Sequence, residues 1–440
     1  MADRRPSAVP SGRIARFARF GSMAGGLAGR AALGSARALA SGQRPDPAAL
    51  LLTPANIRRI TDQLADLRGA AMKMGQLISM DTGDFLPPEL SEIMARLRAD
   101  GQAMPPRQLR SVLDRGWGRG WLARFARFDV RPIAAASIGQ VHRAWLKDGR
   151  ELAVKVQYPG VRSSIDSDVD NVAMLMRLSG LVPAHLDTAP MLAEAKRQLH
   201  EEADYAREAE CLARFHALLA DDPAFLVPRL HPELTTPDIL TMDYVPGVPI
   251  ETLAEAPQPV RDEAMTRLIA LVFRELFEFR LMQTDPNFAN YRWNRTTGQL
   301  VLLDFGATRE ISVDVAARYH ELMVAGLASD RAATRTAAVR IGFFSPQTGA
   351  DKQDRILDLF EAAFAPVKTS GTFDFSSTDI AARLKDDGLA LAQDRDFWHI
   401  PPVDTLFLQR KFGGLFLLGA RLKARVDVRA MMAAWATRPL

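Results

Sequence analysis

The chain has 440 residues, 48% hydrophobic and 25% charged, an ordinary globular composition for two domains or one two-lobed unit, which excludes collagen-like, low-complexity and wholly disordered proteins. A single cysteine, Cys211, excludes an intrachain disulfide, and seven histidines without Cys/His clustering at zinc spacing exclude a structural zinc, so a reducing compartment is expected. Residues 1–44 carry eight arginines against Asp3 alone; of the net +4 this leader holds +7 and the rest of the chain −3, which argues against nucleic acid as a partner and puts any contact with a large anion at the N-terminus.

The first expected segment is therefore a basic leader, residues 1–45. Its longest uncharged stretch, Phe20 to Gly29, lies between Arg19 and Arg30, well short of the roughly 20 apolar residues that span a bilayer. Ile14 and Phe17 interleave with Arg13, Arg16 and Arg19, and Gly21, Gly25 and Gly29 follow at four-residue spacing, the pattern of a helix lying on a membrane surface. A disordered basic tail and an Arg-rich organellar transit segment are the alternatives. Residues 46–110 read as a helical extension, with Ile57, Ile60, Leu64, Leu67, Ala71, Met74 and Ile78 along one face and Pro105-Pro106 near its end. Within it Lys73 is the only charge between Arg68 and Asp81, with Gln76 on the same side; a lysine in so apolar a turn is expected to be buried against a carboxylate.

Residues 111–245 read as a sheet lobe with inserted helices. From about Phe125 to Gln157 a small antiparallel sheet is expected: Leu152, Val154 and Val156 alternate with Ala153, Lys155 and Gln157 after an Asp148-Gly149 turn. Helical periodicity fills Ile165 to Ala220. There Asp204 and Glu208 share a face, whereas Glu202 and Asp204 stand about 200° apart on an ideal helix and reach one site only if it bends. Ile239 to Tyr244 reads as a connecting strand ending at Pro246-Gly247. Residues 246–440 read as mostly helical, with one hairpin whose strands lie near Tyr291 and Val301 and join through Thr297-Gly298. Phe412 to Ala420 is fenced by Lys411 and Arg421, again too short to span a membrane. The expected fold class is α+β, a small sheet lobe and a mostly helical lobe, a plan that commonly holds a nucleotide.

Four motifs occur in a meaningful order: Ala134-Ala135-Ala136-Ser137-Ile138-Gly139-Gln140, then Lys155 on a strand, then Asp285 and Asn290 in Asp-x4-Asn, then Asp304-Phe305-Gly306 after an apolar strand. Phosphoryl transfer needs these parts: a loop over the phosphates, a lysine on them, a carboxylate near the attacking oxygen and oxygen ligands for Mg²⁺, here Asn290 and Asp304. Only 9 of the 56 basic residues are lysine, so a lysine at 155 and at 73 marks positions where arginine does not serve.

These motifs resemble the UbiB family of atypical kinase-like proteins, also called the ABC1 or AarF-domain family, over nearly the whole chain. Lys73-Met74-Gly75-Gln76 matches its KxGQ motif, Ala134 to Gln140 its alanine-rich loop, and Glu202-Ala203-Asp204 its ExD motif; Gln283 to Asn287 and Gln409 to Gly414 resemble the Coq8-type branch. The resemblance implies a two-lobed protein-kinase-like fold with the KxGQ extension over its cleft. It implies ATP or ADP and Mg²⁺ as cofactors, with Lys155 on the phosphates, Glu208 pairing with Lys155, and Met242, Asp243 and Val245 of the connecting strand also contacting the nucleotide. Asp285 would position the attacking water or hydroxyl, and Lys73, Gln76, Glu202 and Asp204 would form a regulatory contact. Ubiquinone biosynthesis enzymes or lipid intermediates and a cardiolipin-like anionic membrane are the implied partners, and a second copy of the chain is a candidate partner. Arg- and Ala-rich composition points to a GC-rich bacterial genome and the cytoplasmic side of its inner membrane, with the mitochondrial matrix face as the alternative. Departures from ordinary kinases are Gln283-Thr284 in place of His-Arg, no Ala-Pro-Glu after Asp304, and alanines at 134 and 136 where glycines are usual, which are expected to stiffen the loop by a steric cost at positive φ. A non-catalytic nucleotide-gated lipid scaffold and a true small-molecule or protein kinase are the rival functions.

Overall fold

A computed structural model describes residues 104–136, 138–178, 189–285, 287–364, 371–377 and 402–438, with Lys368. The leader, nearly all of the helical extension with Lys73 and Gln76, and Ser137 lie outside the described residues. The chain divides into two compact units, one holding the described residues up to Glu210 with Leu230–Tyr244, the other Cys211–Arg229 with the residues from Val245 onward.

In the first unit, α1 (Pro106–Trp117) begins on a proline, whose missing N–H costs nothing at that position, and buries Leu109, Val112, Leu113 and Trp117 along one stripe. The antiparallel sheet runs in the order β1 (Phe125–Phe128), β3 (Gly139–Leu146), β4 (Glu151–Gln157), β6 (Ile239–Asp243), with β2 (Ala134–Ala135) also paired to β3. Gly149 takes φ +89° in the turn before β4, where a side chain would be strained. Leu152, Val154 and Val156 enter the core with Leu113, Trp117, Trp121 and Phe125. Strand alternation then fixes Lys155 and Gln157 on the opposite face.

Among the described residues, three helices occupy the expected helical stretch, α2 (Val161–Leu178), α3 (Ala189–Glu202) and α4 (Tyr205–Leu218). The continuous helix assumed across Glu202 and Asp204 is in fact broken between α3 and α4. Asp204 caps the new helix, its Oδ1 accepting the Arg207 N–H at 3.2 Å, and the Gln157 amide on β4 donates to the Ala203 carbonyl at 2.6 Å. The angular objection to Glu202 and Asp204 acting together therefore does not apply.

The boundary between the units falls inside α4. Cys211–Arg229 belongs to the second unit, where Phe215 packs 4.8 Å from Phe305 and β5 (Phe225–Leu226) pairs in parallel with β10 (Gln299–Leu302). β9 (Tyr291–Asn294) and β10 form the expected hairpin: Asn294 Oδ1 accepts the Thr296 and Thr297 N–H groups at 3.0 and 3.2 Å, and Gly298 takes φ +67°. β7 (Val248–Pro249) pairs with β9 and completes that sheet. A second ribbon, β8 (Leu281–Gln283) with β11 (Thr308–Glu310), has no periodic signature in the sequence. The rest of this unit's described residues are mostly helical, in α5 (Gln258–Phe273), α6 (Val313–Ala328), α7 (Arg331–Ile341), α8 (Ala350–Ala363), α9 (Val403–Leu422) and α10 (Val428–Ala436), with a small ribbon of β12 (Phe373–Asp374) and β13 (Arg425–Val426). Met265, Leu268, Leu300, Val301, Phe344 and Leu408 are buried in this unit. Among the described residues no helix is long and apolar enough to cross a membrane.

Candidate active site

Lys155 projects from the central strand of the first unit, and its ammonium donates to both carboxylate oxygens of Glu208, at 2.8 and 2.9 Å. Glu208 lies in the first turn of α4, so the break after α3 that starts this helix also sets the pair. Both are buried, with 11% of the Lys155 side chain and 1% of the Glu208 side chain exposed. A third residue, which the sequence reading passed over, is Tyr205. Its ring lies 5.2 Å from the Lys155 ammonium and it is fully buried, so Lys155 is fixed by a carboxylate and an aromatic face at once. Glu202 is half-buried, and Asp204 combines its capping role with a 3.6 Å ion pair to Arg162.

The alanine-rich segment does not behave as one loop. Ala134 and Ala135 are exposed strand residues paired with Val141 and Gln140, and Ala136 donates its N–H to the Gly139 carbonyl at 2.8 Å. Neither Ala134 nor Ala136 adopts positive φ, so the steric cost expected of alanine there does not arise. Ile138 and Gln140 are buried. Gln140 accepts the Met104 N–H at 2.9 Å and contacts His142 Nε2 at 2.8 Å. Gly139 is there for packing: a Cβ would lie 2.5 Å from the Val156 carbonyl oxygen and 2.8 Å from the Tyr205 hydroxyl. Gly139→Ala is expected to destabilise by about 1–3 kcal/mol, because the strand and the buried ring must shift. A denaturant midpoint equal to wild type would contradict this.

His142 is structural, and its surroundings define its tautomer. Gln140 Nε2 donates to Nε2, so the ring proton sits on Nδ1 and goes to the Asp129 carbonyl at 2.8 Å. Burial outweighs the favourable pull of Asp129 and lowers its pKa. As pH falls, the unfolded chain takes up this proton before the folded one does. The stability it contributes is therefore complete above about pH 6.5 and is lost as pH drops through the lower folded-state value. Thermal melts between about pH 7 and 5 should show a decline that is shallower in His142→Asn; identical slopes would sink the assignment.

On β6, Met242 is 6% exposed and its side chain belongs to the core. The Asp243 carboxylate is held by His231 at 2.7 Å. The backbone of both residues is what the connecting strand has to offer a nucleotide; Val245 is half-buried at the start of the second unit.

In the second unit, Asp285, Asn290 and Asp304 sit on two segments pinned to each other at both ends. Thr284, just before Asp285, binds the Ala307 carbonyl through its N–H at 3.2 Å and its hydroxyl at 2.7 Å. At the other end Leu303 N–H donates to the Asn290 carbonyl at 3.1 Å, continuing the β9–β10 register to the residue before Asp304. Asn290 Nδ2 donates to Asp285 Oδ2 at 3.3 Å, and Asp304 Oδ1 accepts the Gly306 N–H at 3.0 Å. With its amide nitrogen committed to Asp285, Asn290 has its oxygen to offer a cation. That oxygen and a carboxylate are hard donors of the kind magnesium takes while keeping waters and phosphate oxygens for its other positions, so the residues fit this ion. Among the described residues no three His, Cys, Asp or Glu side chains form a denser metal cluster.

A lysine clasped by a helix glutamate, together with Asp-x4-Asn and Asp-Phe-Gly segments locked side by side, makes this an α+β, kinase-like protein. The chain belongs to the ABC1 family of atypical kinases, residues 96–338 matching the ABC1 atypical kinase-like domain. It is 39% identical to the mitochondrial atypical kinase COQ8 of Saccharomyces cerevisiae, across 96% of this chain and 84% of that one. Identity to the mitochondrial atypical kinase COQ8B of Rattus norvegicus is 37%, across 98% and 81%. The structure of Rv3197 from Mycobacterium tuberculosis, solved with erythromycin, shares the fold at a TM-score of 0.59 and 24% identity, covering 87% of this chain and 96% of that one.

Proposed function

We propose that the chain is a kinase-like ATPase that binds Mg-ATP or Mg-ADP and supports ubiquinone biosynthesis at an anionic membrane surface. The observation that carries this reading is the buried Lys155–Glu208 pair, an ammonium held rigidly by a helix carboxylate. Lys155 would act on the nucleotide phosphates, Glu208 would orient it, and Asn290 and Asp304 would hold the metal. Asp285 would position the attacking oxygen and accept its proton. Bound Mg²⁺ supplies positive charge against the phosphoryl oxygens. Likeness to mitochondrial atypical kinases of the COQ8 type supports the biosynthetic setting, in a mitochondrial inner membrane or its bacterial counterpart. The +7 leader supports contact with cardiolipin-like lipid, and biosynthetic enzymes, lipid intermediates or a second copy of the chain are the proposed further partners.

Phosphate release from ATP by the purified chain tests this, with and without cardiolipin-containing vesicles and with residues 1–40 deleted. Mg²⁺-dependent turnover that vesicles raise, and that loses this response on deletion, is the expected result. Nucleotide binding without turnover would make the chain a nucleotide-gated scaffold. Phosphate recovered on a protein or small molecule would make it a kinase.

A further inference from the structure

We propose that Lys411, with Glu275, is a positioning residue for the segment that carries Asp285 and Asn290. Lys411 lies on α9, is 2% exposed, and has no part in the chemistry assigned above. Its ammonium donates to the Gln283 carbonyl at 2.7 Å and the Tyr291 hydroxyl at 2.9 Å, with a Glu275 carboxylate oxygen at 3.2 Å. Glu275, 1% exposed, accepts the Gln283 N–H through its other oxygen at 3.2 Å. Gln283 and Tyr291 bracket the segment containing Asp285 and Asn290. The ion pair therefore grips both backbone polar groups of Gln283 before that segment and the side chain of Tyr291 after it.

Two further features favour a role beyond stability. A buried ion pair is seldom better for stability than apolar residues of the same volume, yet two charges are buried here next to Gln283 and Thr284, which carry none. Burial works against the Lys411 charge, but Glu275 and Tyr291 outweigh it and raise the pKa, so the ammonium persists at neutral pH. Glu275 itself sits in a π-type turn, Arg274–Glu278, where Phe279 N–H reaches the Arg274 carbonyl at 2.7 Å; such turns concentrate at functional sites.

The inference rests on the assignment of Asn290 to the metal, and its test separates the two. Glu275→Gln/Lys411→Met removes both buried charges together. ADP affinity is measured by calorimetry with and without Mg²⁺, in this variant, in Asn290→Ala and in their combination, alongside thermal melts. Metal-free affinity should stay within about twofold of wild type, while the gain in affinity on adding Mg²⁺ should fall about tenfold, as for other groups that orient a metal ligand. Combined with Asn290→Ala, the pair substitution should cost less than about twofold more, since the group it positions is gone. An unchanged Mg²⁺ gain, or the same tenfold loss repeated without Asn290, would overturn the proposal. If the pair variant does not fold, Tyr291→Phe decides: it keeps both charges, deletes one hydroxyl, and should lower the Mg²⁺ gain about threefold, only when Asn290 is present; no change overturns the proposal. Asn290→Ala alone keeping the full wild-type gain would instead remove Asn290 from the metal, and the inference with it.

Discussion

Asp304→Asn is expected to reduce Mg²⁺-dependent ATP hydrolysis by about 10²–10³-fold or more while leaving the protein folded, because it removes the carboxylate charge that would hold the metal ion against the transferring phosphoryl group. Separation of the two effects follows from local geometry. Asp304 Oδ1 accepts the Gly306 N–H at 3.0 Å, and asparagine offers an oxygen in the same place, so the turn before β11 survives the substitution. Phe305 stays buried against Phe215, which holds the segment independently of residue 304. The melting temperature should move by less than about 1 °C, corresponding to about 1 kcal/mol or less for a protein of this size. Hydrolysis within about tenfold of wild type would place the metal elsewhere, since a neutral ligand cannot replace a carboxylate against a dication at so small a loss.

How much of this site could be read in advance depends on the length of the signal at each position. The alternation of Leu152, Val154 and Val156 gave the face of Lys155 correctly, because a central strand must bury one side. No such alternation marks Ile138, Gly139 and Gln140, which are all buried where β3 begins, while Ala134 and Ala135 of the same motif are exposed. β8 and β11 are three residues each, too short for periodicity to register. They nonetheless pin Asp285 to Asp304 through Thr284 and Ala307. The break between Glu202 and Tyr205 holds no Gly or Pro. Its one signal was the capping residue Asp204 ahead of a new apolar stripe. Scarcity of lysine, which singled out Lys155 and Lys73, applies equally to Lys411; followed through, it would have reached the buried cluster at Gln283 and Tyr291.

Lys155→Met and Glu208→Gln, made singly, should each destabilise the protein by about 3–5 kcal/mol, and the double substitution should recover most of that loss while hydrolysis stays abolished in all three. Each single change leaves a buried charge without its partner. Glu208 is the more severe case, since its side chain is 1% exposed and both oxygens take hydrogen bonds from the Lys155 ammonium. Removing both charges together leaves a methionine beside the Tyr205 ring, where the ammonium now lies 5.2 Å away, and a thioether packs well against an aromatic face. The coupling energy from this cycle should therefore be large and favourable to the native pair. Stability and activity part company in the double variant: the fold needs only that neither charge be left alone, whereas phosphoryl transfer needs the positive charge itself. Denaturant midpoints and phosphate release on the four proteins of the cycle measure both. A double variant that still hydrolyses ATP at a rate near wild type would mean that Lys155 and Glu208 are a structural pair, and that another cation meets the phosphates.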